Sequence, residues 1–207
     1  LQRLRQDHAV ERRVVEAGEA RLEVALQHVG AARDAREDAR IVDVGIGTGL
    51  VAREAVKIIG APGLLVGVDP SPGMIAQSGL PAEVRCLDGR AEAMPLPSAS
   101  ADFITMGYAL RHIADLSAAF AEFARVLRPG GRVLILEITP AEGKLANTLL
   151  RAYMRGVVPT IAKLVARKPQ TAELWRYYWD TIEACAPPEA VLRTLTDAGF
   201  DAAERHV

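Results

Sequence analysis

The sequence predicts an α/β fold: a Rossmann-like, doubly wound, mostly parallel sheet with helices on both faces. Three observations predict it. Short apolar runs alternate with helical spacing from about residue 40 to residue 138, as crossover helices between parallel strands require. The first run, Ile41 to Val44, breaks into Gly45, Gly47 and Gly49 before Leu50 to Ile59 takes up helical spacing. A strand, a glycine loop and a helix together bring bare backbone and a helix N-terminus up to a ligand. The chain has 207 residues, half hydrophobic and a quarter charged, which suits one domain with a sizeable core.

The elements follow in order. Residues 9–29 are expected to form an amphipathic helix with Val10, Val14, Leu22, Leu26 and Val29 on its apolar side. Arg33 to Arg40 is a polar linker, so residues 1–39 read as an N-terminal helical segment and 40–207 as the main domain. Strand one is predicted at 40–44 and its helix at 49–59. Ala61-Pro62-Gly63 is a turn. Strand two is 64–68, a short helix lies near 72–78, and strand three is 83–87 with Cys86 in it. Residues 88–100 are a loop rich in Pro, Ser and Ala. Strand four is 102–106, a helix covers 115–127, Pro129-Gly130-Gly131 is a tight turn, and strand five is 132–138. Residues 143–184 are helical throughout, interrupted at Gly156, Pro159 and Pro169. A last helix over 188–198 stops at Gly199, and 200–207 is expected to be a sixth strand.

Composition narrows the classes of function. The net charge is −1, so no electrostatic footprint for nucleic acid exists. Cys86 and Cys185 make neither a disulfide framework nor a metal spacing. With no signal peptide or unbroken transmembrane run in view, the cytoplasm is the expected compartment.

The glycine loop has two candidate ligands. A dinucleotide fingerprint is G-x-G-x-x-G, but here the third glycine comes one residue early, at Gly49, and Leu50 takes the fingerprint position. A pyrophosphate would also be repelled by Asp43, just before the loop. S-adenosylmethionine carries no phosphate; its sulfonium, amino group and ribose diol would each welcome an acid. Leu64 to Val68 then ends in Asp69, an acid at the tip of a second strand, where a carboxylate can grip a diol through both oxygens.

With these residues the sequence resembles the class I S-adenosylmethionine-dependent methyltransferases from Arg40 onward. The resemblance rests on Val42 to Leu50, Gly67-Val68-Asp69-Pro70-Ser71-Pro72-Gly73-Met74, Gly89-Arg90-Ala91-Glu92-Ala93-Met94-Pro95 and Leu127-Arg128-Pro129-Gly130-Gly131-Arg132. It implies S-adenosylmethionine as cofactor and S-adenosylhomocysteine as product. It further implies that Gly45, Gly47, Thr48 and Gly49 approach the methionine part with help from Asp43. Asp69, with Pro70, would bind the ribose, and Met74 would lie against the adenine. Arg90 and Ala91 occupy the adenine edge, where many relatives have an acid, so Asp88 is an alternative contact; Met106 completes the cofactor set. The class normally closes with a seventh, antiparallel strand. None is visible here, so the chain is expected to be truncated or to complete its edge otherwise.

Residues 105–113 read Thr-Met-Gly-Tyr-Ala-Leu-Arg-His-Ile, similar to the Phe-Gly-Leu-Arg-Asn segment of the ubiquinone/menaquinone biosynthesis C-methyltransferases. Leu136-Glu137-Ile138, the stretch Trp175 to Ile182, and Ala198-Gly199-Phe200 resemble that family too. His112 stands in place of its asparagine and Trp175 in place of a tyrosine. The resemblance implies methyl transfer to a small molecule, a quinol or phenol-type ring being the expected acceptor. Arg111 and His112 are the expected catalytic pair: Arg111 as charge stabiliser or water activator, since a guanidinium stays protonated, and His112 as base. Tyr108, Glu137 and Tyr177 are the expected substrate contacts, and 143–184 the expected lid.

Blander readings stand beside these. His112 also reads as a structural residue before Asp115, Arg111 as an ion-pair partner, and Tyr177 as packing. Leu149, Leu150, Tyr153, Val157, Val158, Ile161 and Leu164 suit a peripheral membrane contact, a lid or a homodimer contact. O- or N-methyl transfer, a nucleotide-dependent dehydrogenase, and a non-catalytic S-adenosylmethionine-binding partner protein are the other classes of function.

Overall fold

The computed structural model describes residues 14–17, 38–59, 61–138, 143–158, 160, 169–201 and 203–205. The chain divides into two compact units, one of residues 1–137 and 188–207, the other of residues 138–187.

The first unit holds a seven-stranded sheet. Its strands are β1 (Val14–Ala17), β2 (Ile41–Val44), β3 (Leu65–Asp69), β4 (Arg85–Asp88), β5 (Ala101–Gly107), β6 (Leu127–Leu136) and β7 (Ala203–Arg205). Their order is β4-β3-β2-β5-β6-β1-β7, and every pairing is parallel. Strands β2 to β6 are those the apolar runs predict. β2, β3 and the second half of β6 are rich in Val, Ile and Leu because helices cover both faces. The order reverses between β2 and β5, and such a reversal opens a crevice beyond the carboxyl ends of the strands.

Two expectations change at the edge. Residues 14–17 are a strand, not part of a helix over 9–29; the rest of that helix lies outside the described residues. Val14 and Val15 are β-branched and therefore suit a strand, and β6 offers them an open ladder, Val14 beside Val133 and Ala17 beside Leu136. The expected shortfall of a strand is also met. The place between β6 and the C-terminal strand is filled in parallel by β1, and β7 pairs with β1. The strand over 200–207 is shorter than expected, at 203–205. The Pro129-Gly130-Gly131 turn sits inside β6, where the register slips between Ala101 and Phe103.

Helix α1 (Leu50–Ile59) packs on one face. Val51, Ala52, Ala55 and Ile59 join Ile41, Leu65, Phe103, Leu134 and Leu136 in one buried cluster. Because successive strand residues face opposite ways, Val42, Ile104, Val133 and Ile135 turn to the other face. A short helix α2 (Pro72–Ile75) follows β3. Helix α3 (Leu116–Val126) starts at Asp115, whose carboxylate accepts from the Ala118 amide at 3.0 Å, an N-cap of the expected kind. In the second unit α4 (Lys144–Ala152) runs into a π-turn at Tyr153–Val157, and α5 spans Pro169–Glu183. Arg151 bonds Glu183 at 2.5 Å, and Arg155 bonds Asp180 and Glu183 at 2.7 and 2.9 Å, joining these helices. Helix α6 (Pro188–Asp197) belongs to the first unit and packs on α3. It stops at Gly199, whose φ of +87° is left-handed.

Gly107, at the tip of β5, shows how tightly α1 is seated: a Cβ there would lie 2.3 Å from Val51 Cγ2. Gly107→Ala should therefore destabilise the protein by about 1–3 kcal/mol, seen as a lower denaturant midpoint. Adding Val51→Ala to that variant should recover part of the loss.

Candidate active site

The loops after β2 and β5 meet over the crevice at the strand-order reversal. Glycine is required there: a Cβ on Gly45 would lie 2.5 Å from the Ala109 Cβ. Gly45, Gly47 and Gly49 all have left-handed φ values, +68°, +51° and +77°, which non-glycine residues adopt only at a cost. Tyr108 is one of the few residues to accept that cost, at φ +59°. Its amide donates to Leu136 O at 2.7 Å, and this ties the turn after β5 to the end of β6.

Beneath these loops lies a cleft of about 530 Å³. Of the expected cofactor residues, Gly45, Gly47, Thr48, Asp69, Pro70, Met74, Arg90, Ala91 and Met106 line it. So do the expected catalytic residues Arg111 and His112, and Tyr108 from the expected substrate set. Gly49 is not on the wall; it packs against Leu80 and opens α1.

The loop amides are turned to the protein. Val68 O accepts from the amides of Gly45 and Ile46 at 2.8 and 3.3 Å, and Ile46 O from that of Gly49 at 2.7 Å. Asp69 Oδ2 accepts from the Gly47 amide at 2.8 Å, and Asp69 Oδ1 from the Ser71 amide at 2.8 Å. A phosphate cradle needs such amides pointed at the ligand. Here the amides of Gly45, Ile46, Gly47 and Gly49 are engaged within the protein, and an acid sits on the wall. Each carboxylate oxygen has two lone pairs, so Asp69 keeps capacity for a hydroxyl or a cation. The donor set therefore fits a phosphate-free ligand that carries positive charge and hydroxyls.

Asp43 stands behind that wall, not on it. Only 2 % exposed, it accepts from the Thr105 hydroxyl at 2.7 Å. Burial pushes its carboxyl up to about 7; the Thr105 bond opposes this, and the neighbouring Asp69 adds to it. Asp88, at the end of β4, is exposed and off the wall. The Arg90 side chain is exposed and turned to Glu92, at 3.7 Å, while Ala91 is buried beside it.

After β5, Leu110–His112 form a 3-10 turn. The guanidinium of Arg111 is buried and ion-paired to Glu137 through Nη1 and Oε1, and the Arg111 amide donates to Glu137 Oε2 at 3.3 Å. Glu137 is thus a buried partner of Arg111 and not an exposed substrate contact, because its side chain is 1 % exposed. His112 is exposed on the turn. Partial desolvation of its ring, and then the Arg111 cation, hold its imidazole below the ordinary histidine range, and Glu137 partly offsets this. Tyr177 lies in the second unit, on α5, with its side chain exposed.

Sequence reasoning missed Thr105, whose only signal is its place opposite Asp43 on the next strand. It also missed the brace on the loop after β4. Glu122 accepts from the Met94 amide at 2.7 Å, and Arg125 Nη2 donates to the carbonyls of Met94 and Leu96 at 3.3 and 2.9 Å. A helix pair at i, i+3 on α3 therefore holds the segment that follows Ala91. Among the described residues no His, Cys, Asp and Glu side chains gather in threes as a metal site, and no helix is long and apolar enough to cross a membrane.

Known proteins share this organisation. Residues 24–207 match the ubiE/COQ5 methyltransferase family. The demethylmenaquinone methyltransferase of Thermus thermophilus is 34% identical over 167 residues, 78% of this chain and 74% of that protein. The ubiquinone/menaquinone biosynthesis C-methyltransferase of Stutzerimonas stutzeri is 30% identical over 179 residues, 83% of this chain and 69% of that protein. The one from Marinomonas sp. is 29% identical over 168 residues, 78% of this chain and 66% of that protein. The chain thus spans about two thirds of the length of these relatives. Among solved structures, a phosphoethanolamine N-methyltransferase of Haemonchus contortus, in complex with S-adenosyl-L-methionine, has the same fold. It has a TM-score of 0.61 at 21% identity, over 87% of this chain and 36% of that one. The chain belongs to the ubiE/COQ5 methyltransferase family and is an S-adenosylmethionine-dependent methyltransferase.

Proposed function

We propose that the protein methylates a ring carbon of a small quinol or phenol-type acceptor in this cleft. The observation that carries the reading is that Arg111 and His112 line the same cleft as Asp69 and the glycine loop. An anion-stabilising cation and a base therefore stand on the cavity that takes the methyl donor. The named relatives, which methylate demethylmenaquinone or act in ubiquinone/menaquinone biosynthesis by their names, support a quinol-type acceptor.

When bound, S-adenosylmethionine supplies a methyl group already activated by its sulfonium, so the protein's task is mainly positioning. On this reading Asp69 accepts from the ribose hydroxyls, Met74 and Pro70 flank the adenosine, and the main chain at Gly45, Gly47 and Thr48 lies along the methionine part. Ala91 and the buried Met106 supply the apolar wall at the adenine and methyl ends. Asp43 acts indirectly, by fixing the tips of β2 and β5 through Thr105. Arg111 stabilises phenolate charge developing on the acceptor oxygen; Glu137 moderates that cation. His112, whose imidazole is held below the ordinary histidine range, would take the proton that the acceptor ring loses. Tyr108 contacts the acceptor from the turn after β5.

The defining experiment is incubation with labelled cofactor and a panel of quinols, phenols and catechols, with the product read by mass. A carbon-methylated ring is expected; a methyl ether or methylamine would move the assignment to oxygen or nitrogen. His112→Ala should lower turnover by about 10²–10⁴-fold and leave S-adenosylhomocysteine affinity unchanged, because the side chain is exposed; a full-rate variant refutes the base. Asp69→Asn should weaken S-adenosylhomocysteine by about 10-fold or more in calorimetry, and NAD should give no thermal shift with the parent protein.

Asp43 sets a pH signature. Its folded pKa is raised, so the folded state holds a proton that the unfolded chain has released above about pH 4. Its stabilising contribution is therefore full below about pH 4 and is lost as pH rises through about 7. Asp43→Asn should flatten that stretch of the stability curve by up to about 1 kcal/mol per pH unit, measured by denaturant unfolding. An unchanged slope would place the proton elsewhere.

A further inference from the structure

Glu137 lies at the end of β6, one residue past the strand, and Arg111 lies on the turn that follows β5. Twenty-six residues separate them in sequence, yet Glu137 grips Arg111 twice. One carboxylate oxygen accepts from the guanidinium and the other from the Arg111 main-chain amide. The first contact fixes the side chain; the second fixes the turn that carries it, and His112 is the next residue on that turn. Both side chains are nearly sealed from water, at 6 % exposure for Arg111 and 1 % for Glu137. A buried charge pair of this kind holds its geometry firmly, since loss of one partner leaves the other charge uncompensated. A carboxylate that sets the orientation of a functional group lying between it and the cavity acts as outer-shell partners do at other reactive centres.

We infer that Glu137 is a positioning residue for the acceptor side of the cleft, aiming the Arg111 guanidinium and holding the Arg111–His112 turn against the wall. This rests on the reading of Arg111 and His112 given under Proposed function. Glu137 touches neither cofactor nor acceptor; it acts through Arg111. The arrangement divides the work: the cation is moderated by a carboxylate on its protein side, and the imidazole beside it is exposed. The charged groups that act on His112 are Arg111 on its own turn and Glu137 from β6, and they pull in opposite directions. Glu137→Gln keeps a hydrogen-bonding side chain of the same shape and removes only the charge. Arg111 then acts on His112 unopposed, and the imidazole gives up its proton at lower pH. Removing both charges, in Arg111→Met with Glu137→Met, leaves no buried charge behind. Because Arg111 is the stronger of the two influences on His112, the imidazole should then titrate at higher pH than in the parent protein.

The test is nuclear magnetic resonance of the full chain, reading the His112 imidazole as a function of pH and the Arg111 guanidinium protons at neutral pH. S-adenosylhomocysteine is the binding probe. The parent protein should show separate, slowly exchanging Arg111 Nη proton signals. Glu137→Gln should broaden or merge them, shift His112 to lower pH, and keep S-adenosylhomocysteine affinity within about threefold. Glu137→Asp should restore the direction of the parent His112 titration in part. Should Glu137→Gln fail to fold, the double Met variant supplies the reading: lost guanidinium signals are built in, and a His112 titration displaced upward supports the pairing. Unchanged Arg111 signals together with an unmoved His112 in Glu137→Gln, or an unmoved His112 in the double variant, would overturn the inference. Failure of the parent protein to bind S-adenosylhomocysteine would instead count against the cofactor site and leave the Glu137 readouts to be judged by themselves.

Discussion

The cleft depends on how β3 holds the glycine loop that follows β2. Val68 O takes the amides of Gly45 and Ile46, and the Asp69 carboxylate takes that of Gly47. These bonds fold the loop back onto the tip of the neighbouring strand, and only glycine permits the left-handed backbone that they require. The same bonds decide what kind of ligand can follow. With its amides turned inward, the loop no longer forms a nest for phosphate. What remains beside it is a carboxylate at the wall and a stretch of main chain, which suit a cationic donor with a ribose diol.

A second layer supports this arrangement from behind. Asp43 and Thr105 tie β2 to β5 with one buried bond, on either side of the point where the strand order reverses. Burial of that carboxyl is costly when it is charged, so its proton is shared between structure and solution near neutral pH. Arg111 and Glu137 make the matching connection between β5 and β6, but with full charges. The turn after β5 is thereby tied to the end of β6. The Glu122–Arg125 pair on α3 adds a third brace, on the loop after β4.

Much of this was legible in the sequence. Strands β2 to β6, the helices at 50–59, 116–126 and 188–197, and the stop at Gly199 follow from local patterning, because most of these strands centre on a short apolar run and each helix carries its own boundary signal. The glycine loop and Asp69 were legible for a similar reason: the residues that shape the loop are contiguous. What escaped notice was set at a distance. Val14 to Ala17 becomes a strand because β6 offers an edge, and Val10 and Val14, spaced by four, fit a helix equally well. Glu137 looked like a substrate contact at the end of a strand, since nothing local shows that Arg111 reaches back to cover it. Asp43 reads as a ligand from its motif, but its burial is a property of the completed sheet. The turn of Arg90 outward toward Glu92 depends on a loop that the sequence marks only as rich in Pro, Ser and Ala.

The central claim is that the crevice between the β2 and β5 loops is where the cofactor sits. Amide chemical-shift mapping during titration with S-adenosylhomocysteine tests it most directly. The account predicts saturable changes at Gly47, Thr48, Asp69, Met74, Ala91 and Met106, with Asp102 and Arg128, ion-paired at 2.9 Å at the opposite ends of β5 and β6, left unchanged. Changes confined to that opposite edge or to the unit of residues 138–187, with the glycine loop silent, would contradict it.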